Sequence, residues 1–126
     1  MYKTLFIAAI NGLLVVLLGA FGAHALETRI HVDLLATWNT SVQYHMFHTL
    51  ALLGVGLLQR EADNAARLKL VTNLLLAGIA LFCGSLYLLA LTSARWLGMI
   101  TPLGGLLFLA GWLQLARICY GLRRHG

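Results

Sequence analysis

The sequence predicts an all-α membrane protein, a four-transmembrane-helix bundle with an amphipathic interfacial helix between spans one and two. Three observations carry that expectation. Of 126 residues, 60% are hydrophobic and 10% are charged, with a mean hydropathy of +0.85, whereas about a quarter of a soluble domain is charged. The apolar residues gather into four runs of roughly membrane-crossing length. Threading those runs through a bilayer also sorts the basic residues strongly to one side.

The first run, LFIAAINGLLVVLLGAFGA at 5–23, carries no charge. Lys3, the apolar stretch and Ala23-His24-Ala25 imitate a signal peptide, but the stretch is longer than the usual hydrophobic region and reads as a retained span. The connection after it, LETRIHVDLLATWNTSV at 26–42, places Ile30, Leu34, Leu35, Trp38 and Val42 at helical spacing. Glu27, Arg29, Asp33 and Asn39 fall on its other faces. That pattern suits a helix lying in the outer interface, with Trp38 at headgroup level, that can continue into the second span.

The second run, MFHTLALLGVGLLQ at 46–59, needs the residues before it to reach a full crossing. READNAARLK at 60–69 reads as a solvated turn. The third run is LVTNLLLAGIALFCGSLYLLAL at 70–91 and the fourth LGMITPLGGLLFLAGWLQLA at 97–116. Thr101 can cap a helix with Pro102 in its first position, where no amide hydrogen is needed. Residues 97–100 then dip irregularly into the outer leaflet and must be buried against protein. The expected spans are about 4–25, 42–59, 69–91 and 101–119, with the interfacial helix at about 28–41, in a single domain over 1–126.

Four spans put Lys3, Arg60, Arg67, Lys69, Arg117, Arg123 and Arg124 on one side, with only Arg29 and Arg95 on the other. This bias predicts cytoplasmic termini in a bacterial inner membrane and explains the formal net charge of +5 by topology. It leaves no case for nucleic acid as a partner, since no aromatic residue interleaves with the basic tail. Cys83 and Cys119 lie at different depths, which argues against a disulfide. Small residues at Gly12/Gly19, Gly19/Ala23, Ala80/Gly84 and Gly104/Gly111 mark faces for close helix contact, within the bundle or with a second copy or membrane partner.

The polar residues inside the runs are the candidates for function. Counting about 1.5 Å per residue from the charged ends puts His24, His45, His48, Ser85, Tyr87 and Thr101 in the outer half of the membrane. His45 and His48, at i and i+3, can share a helix face. With Gln43 and Tyr44 these residues form the candidate ligand-binding or polar-network set. Three readings compete: hydrogen-bonded glue between helices, a small-solute, lipid or proton pathway through a homo-oligomer, and haem b or metal ligation by His24, His45 and His48. Asn11 is expected to bond a neighbouring helix, Asn73 and Gln114 to reach the interface, and Trp96 and Trp112 to be interface and packing aromatics. No H-x-x-x-H zincin pattern, Gly-rich phosphate loop or Ser-His-Asp set with a buried acid is present, so no catalytic residue is assigned.

Four stretches, GAFGAH at 19–24, QYHMFHTLALL at 43–53, LFCGSLYLLAL at 81–91 and ITPLGGLLFLAGW at 100–112, together resemble the YgdD-type small membrane proteins, domain-of-unknown-function family 423. The resemblance covers nearly the whole chain. Ala25 stands where a glycine often follows the first histidine, and Cys83 where a serine is usual. The resemblance implies a four-span inner-membrane protein without an established activity, and it singles out His24, Gln43, Tyr44, His45, His48, Ser85, Tyr87 and Thr101. The expectation is therefore a non-enzymatic accessory or interaction subunit, surrounded by membrane lipids and associating with itself or a membrane-protein partner.

Overall fold

The computed structural model describes residues 2–60 and 65–125, and every regular element among them is helical. Helix α1 (Tyr2–Phe21) continues into a π-helical turn, Gly22–Leu26. Helix α2 (Val32–Leu58) follows a short bend. Helix α3 (Ala65–Gly78) passes through a second π-helical turn, Ile79–Cys83, into α4 (Gly84–Thr92). A 3-10 turn, Arg95–Met99, leads to α5 (Thr101–His125). Residues 61–64 of the expected solvated turn lie outside the described residues.

Among the described residues, three continuous helical stretches are long and apolar enough to cross a membrane: Tyr2–Leu26, Ala65–Thr92 and Arg95–Arg123. Helix α2 is also long, at 27 residues, but Gln43, Tyr44, His45 and His48 dilute its apolar run. The interfacial helix expected at 28–41 and the span expected at 42–59 are one unbroken helix beginning at Val32. The cause is local: no glycine or proline interrupts the chain between Val32 and Leu53. The His31 ring caps its start, Nδ1 accepting from the Asp33 amide at 3.2 Å, and Asp33 sits in the first turn, where a carboxylate complements the helix dipole.

Helix α4 stops at Ser93, whose left-handed backbone (φ 60) lets its amide reach the Leu89 carbonyl at 2.8 Å. Residues 97–99, expected to be irregular, belong to the 3-10 turn. Leu97 is buried there, while Trp96 and Met99 are exposed. Helix α5 begins at Thr101 with Pro102 in its first turn, as the sequence predicts.

Helix α1 lies antiparallel on α2, and α3 antiparallel on α5. Along the first pair Gly56 faces Leu5, Gly12 faces Thr49, Gly19 faces Val42 and Gly22 faces the Trp38 ring. Along the second, Gly78 abuts the Phe108 ring, Gly104 the backbone of Phe82, and Gly111 the Leu75 side chain. Small residues let helix axes approach, which is how contact is gained where lipid removes the hydrophobic drive. One core gathers Leu52, Val55, Leu68, Val71, Leu75 and Ile118 toward the terminal end. A second, at the opposite end, is built on Leu26, Trp38 and Ala90.

Two expectations change here. Trp38 does not face the interface but is packed inside the protein: it is 1% exposed, donating its indole N–H to the Leu18 carbonyl at 2.9 Å beside Phe21 and Tyr87. The space left by Gly22, where a Cβ would meet the indole at 2.6 Å, admits the ring. The glycine faces at Gly12, Gly19, Gly104 and Gly111 are turned to neighbours in the same chain, so of the four small-residue pairs only Ala80/Gly84 looks outward. Ala80 is exposed, and a Cβ on Gly84 would meet nothing within 4 Å.

The packing sets a test by substitution. Gly104→Val drives a side chain into the Phe82 backbone and lowers stability by about 2 kcal/mol or more, whereas Gly54→Ala, with open space beside it, stays within about 0.5 kcal/mol. Thermal unfolding of both variants in one detergent checks the contrast.

Candidate functional site

Helix α2 presents one buried stripe, Trp38, Ser41, His45, His48, Thr49, Leu52 and Val55, at the spacing of a single helix face. The polar members of that stripe are the candidate site. His45 reaches two other helices: its Nδ1 is 3.0 Å from Tyr87 Oη on α4, and its Nε2 is 2.9 Å from Asn11 Oδ1 on α1. Asn11 donates its amide hydrogen to the Ile7 carbonyl at 2.9 Å. That bond fixes which end of the amide faces the ring, because the opposite orientation would set two oxygens against each other. The imidazole must then donate from Nε2 and accept at Nδ1, and Tyr87 donates to it. A directed chain runs Tyr87 to His45 to Asn11 to Ile7, complete with a neutral ring.

His48 holds the other tautomer. Its Nδ1 lies 2.7 Å from the Tyr44 carbonyl, which can only accept, and its Nε2 receives the Trp112 indole N–H from α5 at 3.1 Å. The ring is stacked on Phe108, centroids 3.5 Å apart and planes 9° from parallel, with the Phe47 ring edge-on to it. Trp112, expected only to pack, is therefore the hydrogen-bond partner that holds α5 to α2.

A third set joins the start of α5 to α4. Ser85 Oγ donates to the Phe82 carbonyl at 2.9 Å and lies 2.6 Å from Thr101 Oγ1, so Thr101 is the donor between them. Ser41, which the sequence did not single out, donates to the Cys83 carbonyl at 2.9 Å. Of the two carbonyls on other helices that accept from α2, that of Cys83 lies within the second π-helical turn and that of Leu18 within α1, four residues before the first. A π-turn shifts the regular pairing of helix carbonyls and offers them to side chains.

The eight residues expected to form one layer thus fall into separate sets. His45 and His48 point about 60° apart around α2 at 3.6 residues per turn, one toward α1 and α4 and the other toward α5. Tyr44 contributes its backbone carbonyl while its ring, 44% exposed, lies against Phe82. His24 and Gln43 join neither histidine: both are exposed, His24 on the first π-turn and Gln43 on the outward side of α2. Asn11, by contrast, enters the site, the reach of two side chains closing a depth gap of about 10 Å counted at about 1.5 Å per residue.

This geometry offers little to a metal or a haem. All four ring nitrogens of His45 and His48 are already bonded, so ligation would take one out of a bond. Among the described residues no three of His, Cys, Asp or Glu are grouped to hold a metal ion. What the arrangement does chemically is clamp four helices in one register with oriented donors and acceptors.

A family model described as "Protein of unknown function (DUF423)" matches residues 18–105. The UPF0382 membrane protein YwdK of Bacillus subtilis is 47% identical over 109 residues, 86% of this chain and 89% of that one. A UPF0382 membrane protein of Haemophilus influenzae is 43% identical over 114 residues, 90% of each chain. The UPF0382 inner membrane protein YgdD of Escherichia coli is 41% identical over 123 residues, 97% of this chain and 92% of that one. No solved structure matches.

The opposed tautomers are directly measurable. Nitrogen-15 shifts of ring-labelled protein will show His45 protonated at Nε2 and His48 at Nδ1. His45→Ala, which strands both Tyr87 Oη and Asn11 Oδ1, costs about 2–3 kcal/mol of stability, more than the roughly 1 kcal/mol of Tyr87→Phe. In the double variant the two losses do not add.

Proposed function

The chain belongs to the DUF423 family, and we propose that it serves in the membrane as a non-enzymatic accessory or interaction subunit. The observation that carries this reading is the closure of the polar site: each nitrogen of the two buried imidazoles is engaged within the chain. Such a centre holds helices together, and a proton or solute pathway draws no support from it. The outer surface of the bundle is rich in exposed apolar side chains, and in this reading the protein acts by being met from the side.

In this reading α2 is the fourth span. Its 27 residues measure about 40 Å, enough for a hydrocarbon core of roughly 30 Å with its first turns in the interface. Lys3, Arg60, Arg67, Lys69, Arg117 and Arg123 fall at one end of the bundle, which supports cytoplasmic termini. The printed name of the Escherichia coli relative, an inner membrane protein, supports a bacterial inner membrane. The Ala80/Gly84 face, outward and without a side chain to hold a neighbour off, supports lateral contact with a second copy or a partner helix.

Crosslinking in intact membranes tests the proposal. In a background carrying Cys83→Ser and Cys119→Ser, which removes both free thiols, Ala80→Cys is expected to form an adduct with a second copy or with another membrane protein. Gly84→Ile, by filling the face, is expected to abolish it. A chain that forms no adduct and runs as a monodisperse monomer overturns the interaction role.

A further inference from the structure

At the end of the bundle away from the termini, a pocket of about 510 Å³ opens between the first turns of α2 and the connection from α4 to α5. His31, Asp33 and Thr37 line it from α2, and Ser93 and Arg95 from the connection, with Leu34 and Leu89 as its apolar part. A guanidinium and a carboxylate thus share one cavity. They do not pair with each other: Asp33 instead lies beside the His31 ring, its Oδ2 3.5 Å from Nδ1. Opposite charges that face one pocket and stand apart make a receptor for a ligand that is itself split into an anion and a cation.

We propose that this pocket binds the headgroup of a zwitterionic phospholipid bearing a primary ammonium, the phosphoethanolamine class. Arg95 takes the phosphate, since its planar fork matches two phosphate oxygens. Asp33 takes the ammonium, with the Thr37 and Ser93 hydroxyls as further acceptors. The Thr37 hydroxyl already donates to the Asp33 carbonyl at 3.2 Å, which leaves its oxygen lone pairs for a donor. Leu34 and Leu89 suit the glycerol and the start of an acyl chain. The level is right for a headgroup: the pocket sits where α2 begins and α4 ends, and the neighbouring Trp96, 63% exposed, is the residue type that populates the interface.

The charges also say what is refused. A lipid that is anionic only meets the Asp33 carboxylate in the same cavity and gains nothing from it. A choline head carries the same formal charges but no N–H to give to Asp33, Thr37 or Ser93. The site does not depend on the accessory role proposed above, and the two experiments read different things.

Native mass spectrometry of the delipidated full chain, offered equimolar synthetic phosphatidylethanolamine, phosphatidylcholine and phosphatidylglycerol of matched acyl chains, tests the assignment. Phosphatidylethanolamine is expected to be retained about three- to tenfold over the other two. Arg95→Gln and Asp33→Asn, both at exposed positions (Asp33 88%) and expected to fold normally, each remove that preference. Equal retention of the three lipids by the unaltered chain overturns the proposal, and so does a preference that survives both substitutions. Displacement of the lipid by an equal concentration of water-soluble glycerophosphoethanolamine also overturns it, since it would assign the pocket to a soluble compound.

Discussion

A polar atom within a bilayer has no water to bond, and the arrangement of these helices follows from that constraint. Helix α2 carries a serine, two histidines and a threonine on the stripe it buries. Each must find a partner inside the chain: Thr49 bonds back to the His45 carbonyl of its own helix, and the serine and the two histidines reach neighbouring helices. Asn11 comes from α1, the Cys83 carbonyl and Tyr87 from the α3–α4 rod, and Trp112 from α5. Packing alone leaves helices free to slide, because lipid tails are as apolar as leucine. A set of directed bonds from one central helix removes that freedom.

The glycines and the hydrogen bonds act together. A bond of about 3 Å between side chains of adjacent helices needs axes close enough for short reach, and Gly12, Gly19 and Gly22 bring α1 to that distance from α2. Gly22 shows the coupling most plainly: its missing side chain admits the Trp38 ring, and the ring then bonds back to Leu18 on the same helix. The second π-turn adds one more link, its Cys83 carbonyl accepting from Ser41.

How much of this was legible in the sequence differs by kind of feature. Helical content, the apolar stretches and the start of α5 at Thr101–Pro102 could be read because they depend on local pattern and chain stiffness. The small-residue spacing announced close contact, but not with which helix, since a periodicity has no information about what lies opposite. Depth counting placed Ser85 near Thr101, and they meet. It missed Asn11 against His45, because counting along the axis ignores side-chain reach, and it could not separate His45 from His48, because depth says nothing of direction around a helix. Trp38 and Ser41 were concealed by the amphipathic pattern at 28–41, which looks the same whether the apolar face meets lipid or protein. The stripe through 38, 41, 45, 48, 52 and 55 was present all along as a period, and following it past Val42 would have drawn Ser41 and Trp38 into the core.

The antiparallel pairing of α1 with α2 has a consequence for how the protein is made. Synthesis proceeds from the amino end, so Asn11, Trp38 and His45 emerge from the ribosome before Tyr87 and Trp112 have been translated. The Leu18–Trp38 and Asn11–His45 links can close on this first hairpin alone, which leaves Nδ1 of one imidazole and Nε2 of the other still facing nothing from their own chain. The nascent hairpin is thus a half-finished socket, and the later helices are seated by the vacancies it exposes.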